Sequence, residues 1–76
     1  MLKRVKHPMP DFVQTALENR DLAEAYYDRP AYQQNDYIGW ILRAKREETK
    51  VKRLSQMLDE LEDGRLYMKM KYRPRR

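Results

Sequence analysis

The chain has 76 residues, no cysteine, a net charge of +5 and 38% charged side chains. A chain of this length forms one domain at most, and it buries only about 60% of the surface that its unfolded state exposes. The lack of cysteine excludes disulfide bonds and is typical of a reducing compartment. No segment approaches the roughly 20 apolar residues of a membrane-spanning helix, and no apolar run follows the basic start as it would in a signal peptide. We therefore expect a soluble cytoplasmic protein.

The net charge conceals an uneven distribution along the chain. Residues 1–8 contain three basic side chains and no acid, and residues 65–76 contain six basic side chains and no acid. Residues 9–64 contain eight basic and twelve acidic side chains. The basic character therefore belongs to the two ends, and the high isoelectric point does not by itself indicate that the body binds nucleic acid.

The first predicted elements are a basic arm with a linker, residues 1–9, and a short helix. The prolines of the linker hold the residues before them in extended geometry. Pro10 is suited to the first turn of a helix, where its missing N–H group costs nothing. Apolar residues at helical spacing, Phe12 and Leu17 among them, predict that this helix continues to about Glu18.

Two further helices are predicted in the middle of the chain. Asn19 is a plausible N-cap of the second helix, whose apolar face includes Tyr26 and Tyr27. Pro30 begins the third helix, and Gly39 inside it costs about 1 kcal/mol relative to alanine, which a close helix crossing would explain. The apolar face of the third helix repeats at i, i+3, i+4 and i+7: Tyr37, Trp40, Ile41 and Ala44.

The fourth helix has the clearest pattern, from Glu47 to Asp63, and Gly64 ends it in the position that favours left-handed geometry. Its apolar residues alternate between spacings of three and four: Val51, Leu54, Leu58 and Leu61. Four acids crowd its last turns, and we expect them to form a solvated helix end: Asp59, Glu60, Glu62 and Asp63.

These patterns predict an all-α fold with about four short helices, in which the last two form a helical hairpin. The helical domain covers residues 10–64. Residues 65–76 form an extended basic tail, in which the apolar residues between Leu66 and Tyr72 recur with period two and are expected to dock on the helices. The predicted core consists of Phe12, Leu17, Tyr37, Trp40, Ile41, Ala44, Val51, Leu54, Leu58 and Leu61.

Nothing in the sequence indicates an enzyme. The only histidine, His7, lies between the arm and the prolines of the linker, and the only serine, Ser55, is on a helix that has no histidine to activate it. The sequence contains no cluster of cysteine and histidine that would indicate a metal site. It also contains no glycine-rich loop that would indicate a nucleotide site. We expect neither catalytic residues nor a cofactor.

The candidate binding residues are therefore basic side chains, in one group around the junction of the last two helices and another in the tail. They are Arg43, Lys45, Arg46, Lys50, Lys52, Arg53, Lys69, Lys71, Arg73, Arg75 and Arg76. Glu47 and Glu48 argue against sequence-specific DNA reading by the first group, because they would face phosphates. In the tail, lysines and arginines alternate with tyrosines, which is compatible with nucleic acid, with a membrane surface or with packing on the body.

Two stretches carry a resemblance to a known family. The first is Pro10-Asp11-Phe12 followed by Ala16-Leu17. The second is Tyr37-x-x-Trp40-Ile41-x-x-Ala44-Lys45-x-x-Glu48-Thr49-Lys50-x-Lys52-Arg53-Leu54. Together they resemble the YdeI/OmdA family of bacteriocin-protection or OmpD-associated proteins, over about residues 9–64. The resemblance implies a helical module, which relatives often carry behind a β-rich domain that this sequence does not contain.

The resemblance implies a small interaction protein of the YdeI/OmdA type, linked through a protein partner to protection against bacteriocins or envelope stress. It implies no reaction and no catalytic residue. The alternative is nonspecific binding of nucleic-acid phosphates by the basic termini. A homodimer joined through the methionine-containing tail also stays open, as does a β-rich domain supplied by another chain.

Overall fold

The computed structural model describes residues 7–73, which form four helices followed by a small β-hairpin. The elements are α1 (Asp11–Asn19), α2 (Ala23–Asp28), α3 (Ala31–Leu42), α4 (Glu47–Asp63), β1 (Leu66–Tyr67) and β2 (Met70–Lys71). The prediction of a mainly helical fold with about four helices is confirmed. Within these residues no helix has the length and apolar content needed to cross a membrane.

The two predicted proline starts and the predicted glycine stop are in place. Pro10 and Pro30 are extended residues at the N-caps of α1 and α3, and the carbonyl of each accepts hydrogen bonds from the N–H groups three and four residues later. Gly64 ends α4 with φ of 83°, the left-handed conformation that glycine adopts without a steric cost. These three residues set three of the eight ends of the described helices.

The predicted boundary between the first two helices is wrong. Asn19 is the last residue of α1 rather than the cap of α2, which has Leu22 at its N-cap. The chain turns at Asp21, which has φ of 58°, a left-handed conformation that short polar side chains tolerate. The N–H of Leu22 then donates to the carbonyl of Leu17 at 2.8 Å, so the turn closes on the end of α1.

The hydrophobic core lies between the four helices. Its buried residues are Val13, Leu17, Leu22, Tyr26, Tyr37, Ile38, Ile41, Met57, Leu58 and Leu61, and Ala44 is also buried. Trp40 and Leu54, both predicted as core, are partly buried and pack against this cluster. Helical periodicity therefore identified most of the inward face of α4 and part of that of α3, where it missed the buried Gln33 and Ile38.

Two residues of the predicted core, and Tyr27 from the predicted apolar face of the second helix, are exposed instead. Phe12 is 41% exposed and Val51 is 54% exposed, and Tyr27 is also on the surface. Val51 lies near the first turn of α4, before the part of the helix that its neighbours cover, since the buried residues of α4 begin at Met57. Phe12 lies next to the buried Val13 of α1 but on a different face of that helix. Periodicity shows which way a side chain points and does not show whether another element lies over it.

The predicted extended tail is a tight hairpin over its described part. Leu66 pairs with Lys71 and Tyr67 pairs with Met70 in antiparallel register. The two turn residues, Met68 and Lys69, have φ of 50° and 65°, as the favoured two-residue hairpin turns require. Neither is glycine or asparagine, so the sequence carries no usual signal for this turn. The predicted tail also includes residues 74–76, which lie outside the described residues.

Gly39 faces the N-terminal segment rather than a crossing helix. A Cβ atom at Gly39 would lie 2.8 Å from Nε2 of His7. The backbone N–H of His7 donates to Oδ1 of Asn35 at 2.8 Å, which holds this segment against α3. The close approach predicted at Gly39 exists, but the approaching group is an imidazole ring.

We predict that the change in the free energy of unfolding caused by Gly39→Ala depends on the presence of the His7 side chain. In a His7→Ala background, Gly39→Ala should raise the free energy of unfolding by about 1 kcal/mol through helix propensity. With His7 present the gain should be smaller by about 0.5 kcal/mol, because the new methyl group displaces the ring. Urea unfolding of the four chains measures both values, and equal gains in the two backgrounds would contradict the contact.

Candidate interaction surfaces

Glu60 is a buried carboxylate at the place where α3, α4 and the hairpin meet. Glu60 is only 3% exposed. Oε1 accepts a short hydrogen bond from the hydroxyl of Tyr37 and another from the N–H of Met68 at 2.8 Å. Oε2 accepts from the N–H of Lys69 at 2.8 Å and from the side chain of Gln56 at 3.1 Å. The carboxylate therefore receives four hydrogen bonds, two of them from the turn of the hairpin.

Arg29 and Gln33 surround this carboxylate with a second set of buried polar contacts. The guanidinium of Arg29 donates to the backbone carbonyl of Glu60 at 3.0 Å and to Oε1 of Gln33 at 3.1 Å. Within residues 7–73 every buried side-chain nitrogen and oxygen has a hydrogen-bond partner. A fully paired network of this kind holds its members in one arrangement.

Aromatic contacts complete the docking of the hairpin on the body. The ring of Tyr67 lies edge-on to Tyr37, with ring centres 5.4 Å apart. Its hydroxyl donates to Oδ2 of Asp36 at 2.7 Å. At the other end of the hairpin, the guanidinium of Arg29 lies 4.7 Å from the ring centre of Tyr72. The segment docks on the helices as expected, but not through the whole period-two apolar face, because Tyr67 packs against the core and Met70 is 58% exposed.

The sequence analysis does not predict that Glu60 is a buried hydrogen-bond acceptor. It places Glu60 with three other acids at a solvated end of the helix. The other three acids do lie on the surface, and two of them, Asp59 and Glu62, form ion pairs with Arg20 at 3.4 Å and 3.0 Å. Exposed pairs of this kind contribute little to stability. The available signal was spacing, because Glu60 follows the buried Met57 by three residues and so shares its face of α4.

Three of the candidate basic residues near the junction of α3 and α4 are engaged within the chain. The guanidinium of Arg53 donates to the carbonyl of Trp40 at 2.6 Å and lies over its ring. The ammonium of Lys50 lies 5.8 Å from the ring centre of Phe12. Arg46 pairs with Glu48 at 3.4 Å. These side chains support the structure locally.

Arg43, Lys45 and Lys52 are exposed and form no ion pair within the described range. The structure therefore does not gather the six predicted residues of this group into one free basic surface. The structure does bring the ammonium of Lys50 of α4 to the ring of Phe12 of α1, and the exposed Val51 follows Lys50 in α4. We name these three residues the α1–α4 surface.

The hairpin supplies a second surface. An open groove of about 420 Å³ runs beside it and is lined by Asp63, Arg65, Leu66, Lys71, Tyr72 and Arg73. We name this feature the hairpin groove. Of the predicted binding residues, Lys71 and Arg73 line it, whereas Lys69 lies in a different depression together with Lys52 and Asp59. Arg75 and Arg76 lie outside the described residues.

The charge of the described body is balanced. Residues 7–73 contain twelve basic and twelve acidic side chains. The net +5 of the chain therefore comes from residues outside this range: Lys3, Arg4, Lys6, Arg75 and Arg76. Among the described residues no group of three or more His, Cys, Asp or Glu side chains could hold a metal ion.

We predict that Glu60→Ala destabilises the chain far more than Glu62→Ala. Removing the buried carboxylate leaves the Tyr37 hydroxyl and two turn N–H groups without an acceptor, at a cost of about 3 kcal/mol or more. Glu62→Ala removes an exposed ion pair and should cost less than about 1 kcal/mol. Urea unfolding measures both, and amide exchange at Met68 and Lys69 should accelerate only in the Glu60 variant. Similar losses at the two positions would refute the role of Glu60, and the milder Glu60→Gln serves if Glu60→Ala does not fold.

Two buried tyrosines predict a loss of stability at alkaline pH. Burial, with a smaller contribution from Tyr27, raises the pKa of Tyr26 from 10.0 to about 12, and burial together with the Glu60 carboxylate raises the pKa of Tyr37 further. Since the fold favours the protonated phenols, their contribution is complete below pH 10.0 and is lost as the pH rises through the folded pKa. The free energy of unfolding should fall by up to about 1.4 kcal/mol per pH unit for each group.

Urea unfolding between about pH 9 and pH 11.5 measures this decline. Tyr26→Phe removes one of the two groups and should make the decline shallower, whereas Tyr27→Phe removes an exposed tyrosine and should leave most of it. A decline that is equally steep in the wild-type chain and in Tyr26→Phe would show that Tyr26 does not contribute.

The family comparison matches the helical body. The model of the family described as Bacteriocin-protection, YdeI or OmpD-Associated covers residues 6–64, a range that includes all four helices and ends at the residue that terminates α4. No curated protein and no solved structure matches the chain. Because the family model covers more than half of the chain, the protein belongs to the YdeI/OmdA family, and its hairpin follows the matched range.

Proposed function

We propose that this protein is a non-enzymatic interaction protein of the YdeI/OmdA type, which binds a protein partner through the α1–α4 surface. The observation that carries the proposal is the exposure of Phe12 and Val51. Both occupy positions in apolar helical stripes, yet within residues 7–73 Phe12 is 41% exposed and Val51 is 54% exposed. The surface lies within the range that the family model matches.

The composition of the α1–α4 surface suits a protein interface. Interfaces are enriched in aromatic side chains at their centre, with polar groups at the rim. Phe12 supplies the ring, Val51 adds aliphatic surface, and Lys50 places a cation directly over the ring at 5.8 Å. A cation that is already held in position loses little conformational entropy when a partner carboxylate meets it.

The hydrogen-bond partners and positions of the polar side chains support a role without catalysis. The buried carboxylate of Glu60 accepts all of its hydrogen bonds from Tyr37, Gln56 and the hairpin turn. His7 lies against Gly39 of α3, away from Ser55, which is exposed on α4. These residues have structural partners, so a substrate is not needed to account for their positions.

A link to protection against bacteriocins, at the envelope or in a stress response, is the finer part of the proposal. Its support is the description of the family to which the chain belongs. We further propose that the protein acts in the cytoplasm, on the basis of its composition and lack of cysteine. The partner would then be a protein that meets the module in that compartment.

We predict that Val51→Glu reduces partner binding at least about 10-fold, which corresponds to about 1.4 kcal/mol, because a carboxylate would be placed in the apolar part of the surface. Met70→Glu is the matched control, since Met70 on the hairpin is 58% exposed and Val51 is 54% exposed. Partners are captured by crosslinking in a native extract, identified by mass spectrometry, and then measured with purified components. The same variants are expressed in a bacteriocin-sensitive host, where only Val51→Glu should lose protection.

Binding through an apolar centre should change little with salt, whereas binding through phosphates should weaken steeply. The proposal fails if no purified protein binds the wild-type chain, or if Met70→Glu reduces binding as much as Val51→Glu. The alternative function, nonspecific binding of nucleic acid by the basic termini, concerns residues of which 1–6 and 74–76 lie outside the described range.

A further inference from the structure

We propose that the hairpin groove is a binding site for single-stranded nucleic acid, with phosphates at Arg65, Lys71 and Arg73 and a base at Tyr72. This site is separate from the α1–α4 surface and lies beyond residues 6–64, the range of the family match. It differs from a flexible basic tail because a folded hairpin holds its cations in place.

The first argument is the concentration of unpaired charge. Residues 65–73 contain four basic side chains and no acidic one. Arg65, Lys69, Lys71 and Arg73 are all exposed, and none of them forms an ion pair with another described residue. At the junction of α3 and α4, by contrast, half of the basic side chains lie over rings or pair with Glu48. The hairpin therefore carries the most available positive charge of the described structure.

The second argument is the shape and lining of the groove. It is open and has a volume of about 420 Å³. It is lined by Lys71 at the end of β2, by Tyr72 and Arg73, which follow β2, and by Arg65, which precedes β1. The N–H of Tyr72 donates to the carbonyl of Arg65 at 2.8 Å, which fixes the two edges relative to each other. A cation, a ring and a second cation in sequence match the alternation of phosphate and base along a single strand.

The third argument is preorganisation. Glu60 holds the turn through the N–H groups of Met68 and Lys69, and Arg29 lies against the ring of Tyr72. The hairpin is therefore already fixed before a ligand arrives, so that less conformational entropy is lost on binding. An Arg behind the ring also leaves a cationic stack for a base to join.

Other anionic partners fit the groove less well. A membrane surface would need an apolar face beside the cations, and the exposed apolar side chain on the hairpin is Met70. An acidic peptide would satisfy the charges but would leave the ring between them unused. Asp63 is the carboxylate that lines the groove, and its Oδ1 accepts the N–H of Arg65 at 3.0 Å, so it lowers the affinity for any polyanion without abolishing the site.

The test is fluorescence anisotropy with a labelled oligothymidine, on the full chain, at about 50 mM and 150 mM salt. The double variant Lys71→Gln, Arg73→Gln should weaken binding about 10-fold at the lower salt and reduce the log–log salt slope by about 1.4, since each phosphate contact on a single strand contributes about 0.7. The double variant Arg43→Gln, Lys45→Gln removes the same charge from the junction of α3 and α4 and should weaken binding less than about 2-fold. All four positions are exposed, so both variants should retain the circular dichroism of the parent.

Asp63→Asn provides a change in the opposite direction. The amide oxygen can still accept the N–H of Arg65, while the negative charge that faces the groove is removed, so the oligothymidine should bind more tightly. Equal weakening by the two double variants would overturn the proposal, because it would mean that net charge or the terminal arginines attract the strand. The proposal is also overturned if polyglutamate of equal charge competes as well as unlabelled oligothymidine, or if Asp63→Asn has no effect.

Discussion

The structure depends on a single buried carboxylate that needs hydrogen-bond donors. An ionised group taken out of water is costly unless it is fully hydrogen-bonded, and Glu60 meets this condition with four donors from α3, α4 and the hairpin turn. The same contact explains why Met68 and Lys69 adopt left-handed conformations, which cost about 1–2 kcal/mol per residue for side chains other than glycine. Two adjacent N–H groups in this conformation both reach the carboxylate, and hydrogen bonds to a charged acceptor are strong enough to offset the strain.

The hairpin in turn completes a core that four short helices leave partly open. Tyr67 and Met68 pack against the buried cluster that includes Tyr37, so the last strand pair covers the side of the core between α3 and α4. A domain of 76 residues has little apolar surface to bury, and this chain has no disulfide or metal to compensate among its described residues. A short segment attached by a charged network is another way to close a small core.

The sequence predicted those features that are fixed locally. Pro10, Pro30 and Gly64 act through their own backbone geometry, and so the starts of two helices and the end of a third could be placed. The features that were missed depend on distant partners. Glu60 stands among three other acids, and although its spacing from Met57 places it on the inward face of α4, its hydrogen-bond donors come from Tyr37 and the hairpin, which are distant in sequence or follow the helix. The turn at Met68 was hidden for the same reason, since its stability comes from an acceptor eight residues earlier rather than from its own residue types.

Sequence patterns also could not show where the two candidate surfaces lie relative to each other. Their separation determines whether a ligand on one surface can contact the other. Val51 and Gly64 lie 13 positions apart along α4 and its cap, which corresponds to roughly 20 Å at 1.5 Å per residue. Substitutions separated by more than about 10 Å without shared partners usually act additively. The helix that carries Glu60 at one end thus holds the hairpin groove and the α1–α4 surface at a fixed separation, too far apart for either surface to alter the other by direct contact. Coupling between a partner on one surface and a ligand on the other would need a continuous set of packed elements, and α4 with the Glu60 network provides one.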